Sequence, residues 1–369
     1  MTLSTNELQT NTQQIKTKKK GRKPEKAAKA EASPAEQVIK YLALIVTPEQ
    51  TCPPIKYGGN EKQADIIVRK LLDRGIAVDL FCGPGSTCPA TRVHMTSKPS
   101  MSCEIEFMQE IDRLSRKNFQ YDCIIDMTGH HLIGQLPNIP VISIMTGDPY
   151  KKYPHDSVRN RVYISKGLAN HFECPTHPTI SNVIAIDSEA IPLGSGSGSC
   201  ALYVGAIRPE KGIHIAAEAC NKLQMKLKVA GPRRQQNEDY LQQLLALKNV
   251  EYIGEIGSSS PEKWKLFGDA SVFLYLVSWA EAAGLAPLES MLVGTPVVAS
   301  NRGGLPENVQ NGKGGVIIEP TAELAAAAIK KARTMDRRSI RKHVLPIIYP
   351  DKYIDRLLSL CERASNESW

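Results

Sequence analysis

The sequence predicts an α/β protein built from two doubly wound, Rossmann-like domains. Three observations carry that expectation. Short β-branched runs alternate with helix-length amphipathic segments, the pattern of a parallel sheet with helices on both faces. A Gly/Ser run, IPLGSGSGSC (191–200), interrupts the series, and the alternation restarts after it. A length of 369 residues leaves room for two domains with separate cores.

In the first half, VIKYLALIV (38–46) reads as a buried strand and NEKQADIIVRKLLDRG (60–75) as an amphipathic helix ended by glycine. IAVDLFC (76–82), YDCIIDM (121–127), IPVISIM (139–145), RVYIS (161–165) and VIAID (183–187) read as further strands. In the second half, ALYVGA (201–206), MKLKVAG (225–231), VEYIG (250–254), SVFLYLV (271–277) and TPVVAS (295–300) read as strands. KGIHIAAEACNKL (211–223) and EDYLQQLLALK (238–248) supply the helices between them. The expected organisation is a basic tail over 1–36, a first domain over 37–193, a flexible Gly/Ser linker over 194–199, a second domain over 200–348 and a closing helix over 349–369.

Composition is that of an ordinary globular protein, with 42% hydrophobic and 23% charged residues. No apolar run approaches the ~20 residues of a membrane span, and the N-terminus has no apolar signal core, so a cytoplasmic location is expected. The nine cysteines are scattered without a CxxC pair, which argues for reduced core-filling thiols rather than disulfides or a metal centre. Half of the net charge of +8 lies in residues 1–36. That segment is lysine-rich, poor in large apolar residues and expected to be disordered. KKKGRKP within it resembles an AT-hook. Two readings stay open for residues 16–26: a solvated tail loosely attracted to polyanions, or a contact to DNA.

Open parallel sheets bind ligands beyond the carboxyl ends of their strands, where glycines let backbone approach a phosphate. CPPIKYGGNEKQAD places Gly58 and Gly59 at such a point in the first half. VGAIRPEKG does so in the second, bringing Arg208 and Lys211 to a helix start, a pairing suited to a diphosphate. EAAGLAPLE follows the strand SVFLYLV, with Glu281 in the loop, Gly284 allowing close approach of a ligand and Pro287 in the first helical turn. Glu289 is expected within the same first turn, and the free N–H groups near Leu285 point at the same space.

These segments also carry a family resemblance. The run from Glu281 to Glu307 resembles the E-x7-E segment of retaining, nucleotide-sugar-dependent glycosyltransferases of the GT-B fold (family 4-like, group 1). VGAIRPEKG resembles their phosphate loop, and PPIKYGGNEKQADIIVRKLLDRGIAVDLF their N-terminal Gly-Gly segment. The resemblance implies two domains facing a cleft, and a final helix, here IDRLLSLCER (354–363), that crosses back to the first domain. It implies transfer of a sugar from a nucleotide-diphosphate sugar to a hydroxyl acceptor, with retention, no metal and no cofactor beyond the donor itself. Glu289 would take the ribose hydroxyls and Glu281 those of the sugar. Lys211, helped by Arg208, would hold the diphosphate, and Gly58, Gly59, Gly303 and Gly304 would give close backbone approach.

Four positions depart from the family pattern. Ala206 stands where an arginine is common, Ala282 and Ala283 where Pro-Phe is common, and Thr146 where a histidine is common. His130 and His131 stand where an acceptor could approach, as a general base or as structural hydrogen bonders, and the same two readings stay open for Tyr57 and Asp148. Rival readings are a DNA-associated protein or a DNA-base glycosyltransferase using the basic tail, and, further off, an epimerase or phosphorylase on the same fold.

Overall fold

The computed structural model describes residues 39–56, 58–136, 139–147, 158–185, 187–257, 260–367 and 369. The expectations for the basic tail, and for Tyr57 and Asp148, lie outside the described residues.

The first half is built from β1 (Tyr41–Ile45), α1 (Gly59–Asp73), β2 (Ala77–Cys82), β3 (Arg92–Met95), α2 (Glu104–Ser115), β4 (Cys123–Asp126), β5 (Val141–Met145), β6 (Arg161–Tyr163) and α3 (Lys166–His171). Its six strands are all parallel and lie in the order β3-β2-β1-β4-β5-β6.

The second half comprises β7 (Ala201–Val204), α4 (Ile213–Lys222), β8 (Leu227–Ala230), α5 (Glu238–Leu245), β9 (Val250–Tyr252), α6 (Pro261–Asp269), β10 (Val272–Tyr275), α7 (Leu285–Leu292), β11 (Val297–Ser300), α8 (Leu305–Val309), β12 (Gly315–Ile318) and α9 (Ala322–Ala332). Two further helices, α10 (Arg337–Ile348) and α11 (Pro350–Ser365), end the chain. The order β12-β11-β10-β7-β8-β9 repeats the topology of the first sheet. In each sheet the strand order reverses beside its first strand, the point at which a crevice opens beyond the carboxyl ends of the strands.

The central strands are largely hydrophobic because helices cover both sheet faces, as for β4 and β5, whose residues are all buried. Each fully buried aliphatic side chain contributes roughly 1.5–3 kcal/mol, so the two sheets anchor separate cores. One core is centred on β7, β8, β10 and β11, the other on β1, β2, β4 and β5. The final helix belongs to the core of the first half, through Tyr353, Ile354, Leu357, Leu360 and Cys361. The Ser365 hydroxyl donates to the Asp122 carbonyl at 2.7 Å, and the Arg74 guanidinium holds Asp355 at 2.5 Å. The closing helix thus crosses back to the first half.

Two expectations need correction. VIAID forms no strand over its described residues 183–185 and 187, and the edge beside β6 is occupied instead by the bridge of Tyr163 to Thr179. The Gly/Ser run is not a free linker. The N–H groups of Gly194, Gly196 and Gly198 donate at 2.9 Å to the carbonyls of Val293, Gly268 and Asp269, strapping the run along the second half. Every cysteine is free, and seven of the nine are buried, in line with core filling. Among the described residues no helix is long and apolar enough to cross a membrane.

Candidate functional site

The loop after β7 turns at Gly205, passes through a short 3-10 turn at Pro209–Lys211 and starts α4 at Gly212. Gly212 has φ +67°, and a Cβ there would lie 1.8 Å from the Leu276 carbonyl oxygen, so only glycine lets this loop sit against the exit of β10. That contact carries Lys211 into the interior, where it is 5% exposed. Its ammonium reaches Glu281 Oε2 at 2.7 Å and Tyr275 Oη at 3.0 Å. The Tyr275 hydroxyl and the Trp279 indole N–H both donate to the same carboxylate oxygen at 3.0 Å. The Trp279 ring lies 4.5 Å from the Lys211 ammonium, a cation–π contact. Glu281 is thus a buried carboxylate fixed by three donors.

Glu289 lies in the second turn of α7, one turn deeper than its sequence position beside Pro287 implied, because the helix begins at Leu285 after the Gly284 cap. Two lysines meet on its Oε1: Lys263 of α6 at 2.6 Å and Lys62 of α1 at 2.7 Å. Burial raises its pKa, but the Lys263 and Lys62 charges outweigh that and hold the carboxyl below the usual range. Lys263 is itself lowered, first by burial and then by its neighbour Lys62, although Glu289 offsets part of this. Ser260 caps α6 by accepting the Lys263 N–H at 3.3 Å, which sets that side chain at the carboxylate.

A cavity of about 180 Å³ separates the halves here, lined among others by Gly58, Gly59, Lys62, Lys211, Glu281 and Glu289. Leu285 lines it too and approaches Gly59 across the gap, its Cδ1 3.1 Å from where a Cβ would stand. Lys56 forms part of this wall and of a wider cleft of about 760 Å³ next to it, which Glu49, Thr51, Arg234 and Glu255 also line.

The structure thus gathers six of the ten expected residues on one cavity. The other four are placed elsewhere. Arg208 turns onto Glu210 at 3.2 Å and lies 5.6 Å from the Trp279 ring. Gly284 serves as the left-handed cap of α7. Gly303 and Gly304 pack behind Glu281, and the Gly304 N–H is spent on the Glu281 carbonyl at 2.8 Å. Lys62, Lys263, Tyr275 and Trp279 were not foreseen. The aromatic two residues before Glu281 was the one available signal, since the two lysines sit on helices whose facing is set by the folded chain.

On the first half, beyond the end of β4, Asp126 lies 3.5 Å from His131 Nδ1, and Glu104 accepts or shares a proton with His130 Nδ1 at 3.1 Å. Glu104 is pushed up to about 8 by burial and by the neighbouring Asp126 charge. His131 is buried behind this cluster, while His130 is half-buried, so of the two only His130 is accessible to a ligand. Thr146 accepts from Asn60 Nδ2 at 3.1 Å at the start of α1. Among the described residues no group of His, Cys, Asp and Glu has the arrangement of a metal site.

Residues 194–343, which carry β7 to α10 and both glutamates, match the sequence profile of the family described as glycosyl transferases group 1. Glycogen synthase of Mycobacterium tuberculosis is 37% identical to this chain over 135 residues, 34% of the chain and 32% of the synthase. The chain thus aligns with about a third of the length of that relative. Spore coat protein SA of Bacillus subtilis is 25% identical over 245 residues, 61% of this chain and 64% of that protein. Solved structures extend the likeness to nearly the whole chain. Sucrose-phosphate synthase of Thermosynechococcus elongatus superposes with a TM-score of 0.70 at 18% identity, covering 87% of this chain and 98% of the synthase. Anabaena Alr3699/HepE, in complex with UDP, gives 0.67 at 15% identity over 87% of this chain and 99% of its own. The two-domain arrangement is therefore the GT-B fold.

Proposed function

We propose that this protein transfers a sugar from a nucleotide-diphosphate sugar to a hydroxyl acceptor, with the donor bound between Lys211, Glu281 and Glu289. The observation that carries the reading is the Lys211–Glu281 pair, buried at the mouth of β7 and β10 within the stretch that matches the group 1 glycosyl transferases. In such a transfer the bond from the anomeric carbon to the phosphate oxygen breaks and a bond to the acceptor oxygen forms. The acceptor hydroxyl gives up its proton, and the nucleoside diphosphate leaves with the bonding pair.

Each residue has a part suited to its surroundings. Lys211, desolvated and fixed by Tyr275 and Glu281, stabilises the charge that grows on the leaving diphosphate, and low polarity around it strengthens that effect. Glu281 is the acceptor for hydroxyls of the donor sugar, and Glu289 for those of the ribose. Arg208 reaches the diphosphate only by leaving Glu210. The α1 start at Gly58 and Gly59 brings backbone N–H groups to the same charge. Retention at the anomeric carbon, the absence of a metal requirement and a hexosyl donor are proposed with it on the resemblance of the Glu281–Glu289 segment. The wider cleft next to Lys56 is the place for the acceptor.

The cavity of about 180 Å³ is smaller than the ~300 Å³ at which ligand pockets begin, so donor binding must open it. The direct test is release of nucleoside diphosphate from a panel of UDP-, GDP- and ADP-sugars by wild type and by Lys211→Ala. Turnover of one donor, reduced on the order of a hundredfold in the variant, supports the reading. Equal turnover in both proteins removes Lys211 from it.

A further inference from the structure

The cavity carries more positive charge than its carboxylates balance. Four lysines, at 56, 62, 211 and 263, line it against the two glutamates at 281 and 289. The surplus is concentrated at Glu289, where two ammonium groups share one oxygen. Crowding two cations in a poorly solvated place is unfavourable: Lys263 is held below its ordinary range first by burial and then, to a smaller degree, by the neighbouring Lys62. An arriving group with two negative charges would relieve it.

The two lysines are not equivalent. Lys263 belongs to the same half as Glu289, on a helix capped by Ser260 and packed beside α7. Lys62 comes from the opposite half, one turn into α1 from Gly58 and Gly59, and reaches its partner across the cavity. The wall formed by the β7 loop, meanwhile, presents a single ammonium. Position 206 is alanine, and the Arg208 side chain is directed to Glu210.

We infer that Lys62 is a ligand of the donor diphosphate, exchanging its ion pair with Glu289 for a phosphate oxygen when ribose hydroxyls occupy that carboxylate. This rests on the donor reading above and extends it to a residue that no part of the matched stretch contains. The exchange leaves Glu289 with Lys263, gives the phosphates one cation from each half, and makes closure of the two halves depend on the diphosphate rather than on the nucleoside.

Calorimetry of UDP, GDP and ADP alongside uridine, guanosine and adenosine tests the exchange. The proteins are wild type, Lys62→Met, Lys62→Met with Ala206→Arg, Ala206→Arg alone, and Lys265→Met as a charge control outside the cavity, with a melting curve for each. For the diphosphate that wild type prefers, Lys62→Met is expected to weaken binding at least tenfold while the matching nucleoside binds as well or better. Arginine at 206 is expected to recover most of that loss in the Lys62→Met background and to add little to wild type. Equal changes for diphosphate and nucleoside, or no change in either, would make Lys62 only a partner of Glu289 and overturn the inference while leaving the donor site intact. Wild type that binds none of the diphosphates would remove the donor reading itself, and the inference with it.

Discussion

The two halves of this chain meet along two seams of opposite character. At the donor seam, α1 faces α6 and α7 across a cavity, and the ties are side-chain charges: Lys62 to Glu289 at 2.7 Å and Lys56 to Glu255 at 3.7 Å. At the second seam, backbone rests on backbone. A Cβ on Gly167, at the start of α3, would stand 2.0 Å from the Gly303 carbonyl oxygen. The Ser165 hydroxyl donates to the Ala282 carbonyl, and Glu307 accepts the N–H groups of Lys166 and Gly167 at 3.1 Å. One loop serves both seams. The Glu281 side chain faces the cavity while the carbonyls of Glu281, Ala282 and Ala283 are held at the other seam, the last by Asn308 Nδ2 at 2.8 Å.

The difference teaches which wall is free to yield. Close backbone packing has no soft response, whereas a long buried lysine side chain can leave one carboxylate provided another anion takes up its charge. If the proposed donor enters between the halves, the second seam is the expected pivot and the Lys62 side the wall expected to shift. It also accounts for Ala282 and Ala283. Both are buried against the core of the first half, where larger side chains would push the halves apart at the pivot.

The largest expected effect comes from cutting the donor seam. Glu289→Gln is predicted to weaken nucleotide binding at least tenfold by calorimetry, and to lower the melting temperature because two buried ammonium groups lose their counter-charge. A variant with unchanged affinity would take Glu289 out of the ribose role.

At the pivot the prediction runs the other way, with stability falling more than ligand affinity. Gly167→Ala is predicted to cost roughly 1–3 kcal/mol in denaturant unfolding through overpacking, with nucleotide affinity within a few-fold of wild type. A stable variant with lost affinity would reverse the assignment of the two seams. Glu307→Gln should be milder, about 0.5–1.5 kcal/mol for a weakened hydrogen bond, measured in the same way.

The smallest effect sharpens the comparison by looking away from both seams. Glu104 faces Asp126, Glu49 and His130, and its carboxyl is pushed up to about 8. The folded state therefore keeps a proton that the unfolded chain releases near its ordinary value of 4.5, so this group's contribution makes stability fall as pH rises between those values. Glu104→Gln is predicted to flatten the fall in melting temperature from pH 5 to pH 8. An unchanged slope would place the titrating group elsewhere.

Much of this was legible in the chain itself, for reasons that differ by residue. The strands announced themselves because buried parallel strands are short β-branched runs, and β1, β4, β5, β7 and β10 lie within the expected segments. That Lys211, Glu281 and Glu289 line one cavity was readable because the first two sit in loops at strand ends and the third in the helix that one of those loops starts. β3, α2 and β12 are hard to read because RVHM is half-exposed, the outer face of α2 mixes charged residues with an exposed Ile105, and GGVIIEP is too short to separate from a loop. Lys62 and Lys263 were invisible as site residues for another reason. A lysine on an amphipathic helix looks like solvated surface until the other half of the chain closes over it, and that closure is set by contacts hundreds of residues apart, as Lys62 to Glu289 illustrates. The Gly/Ser run misled in the opposite sense, since a glycine sequence that permits flexibility also permits the close strapping observed along Gly268 and Asp269.

The measurement that bears most directly on the donor site is calorimetric titration of wild type and Lys211→Ala with UDP, GDP and ADP. Saturable binding of one diphosphate by wild type, weakened at least tenfold in the variant, is the predicted result. Failure of all three to bind, or equal binding by both proteins, would contradict a nucleotide site between Lys211, Glu281 and Glu289.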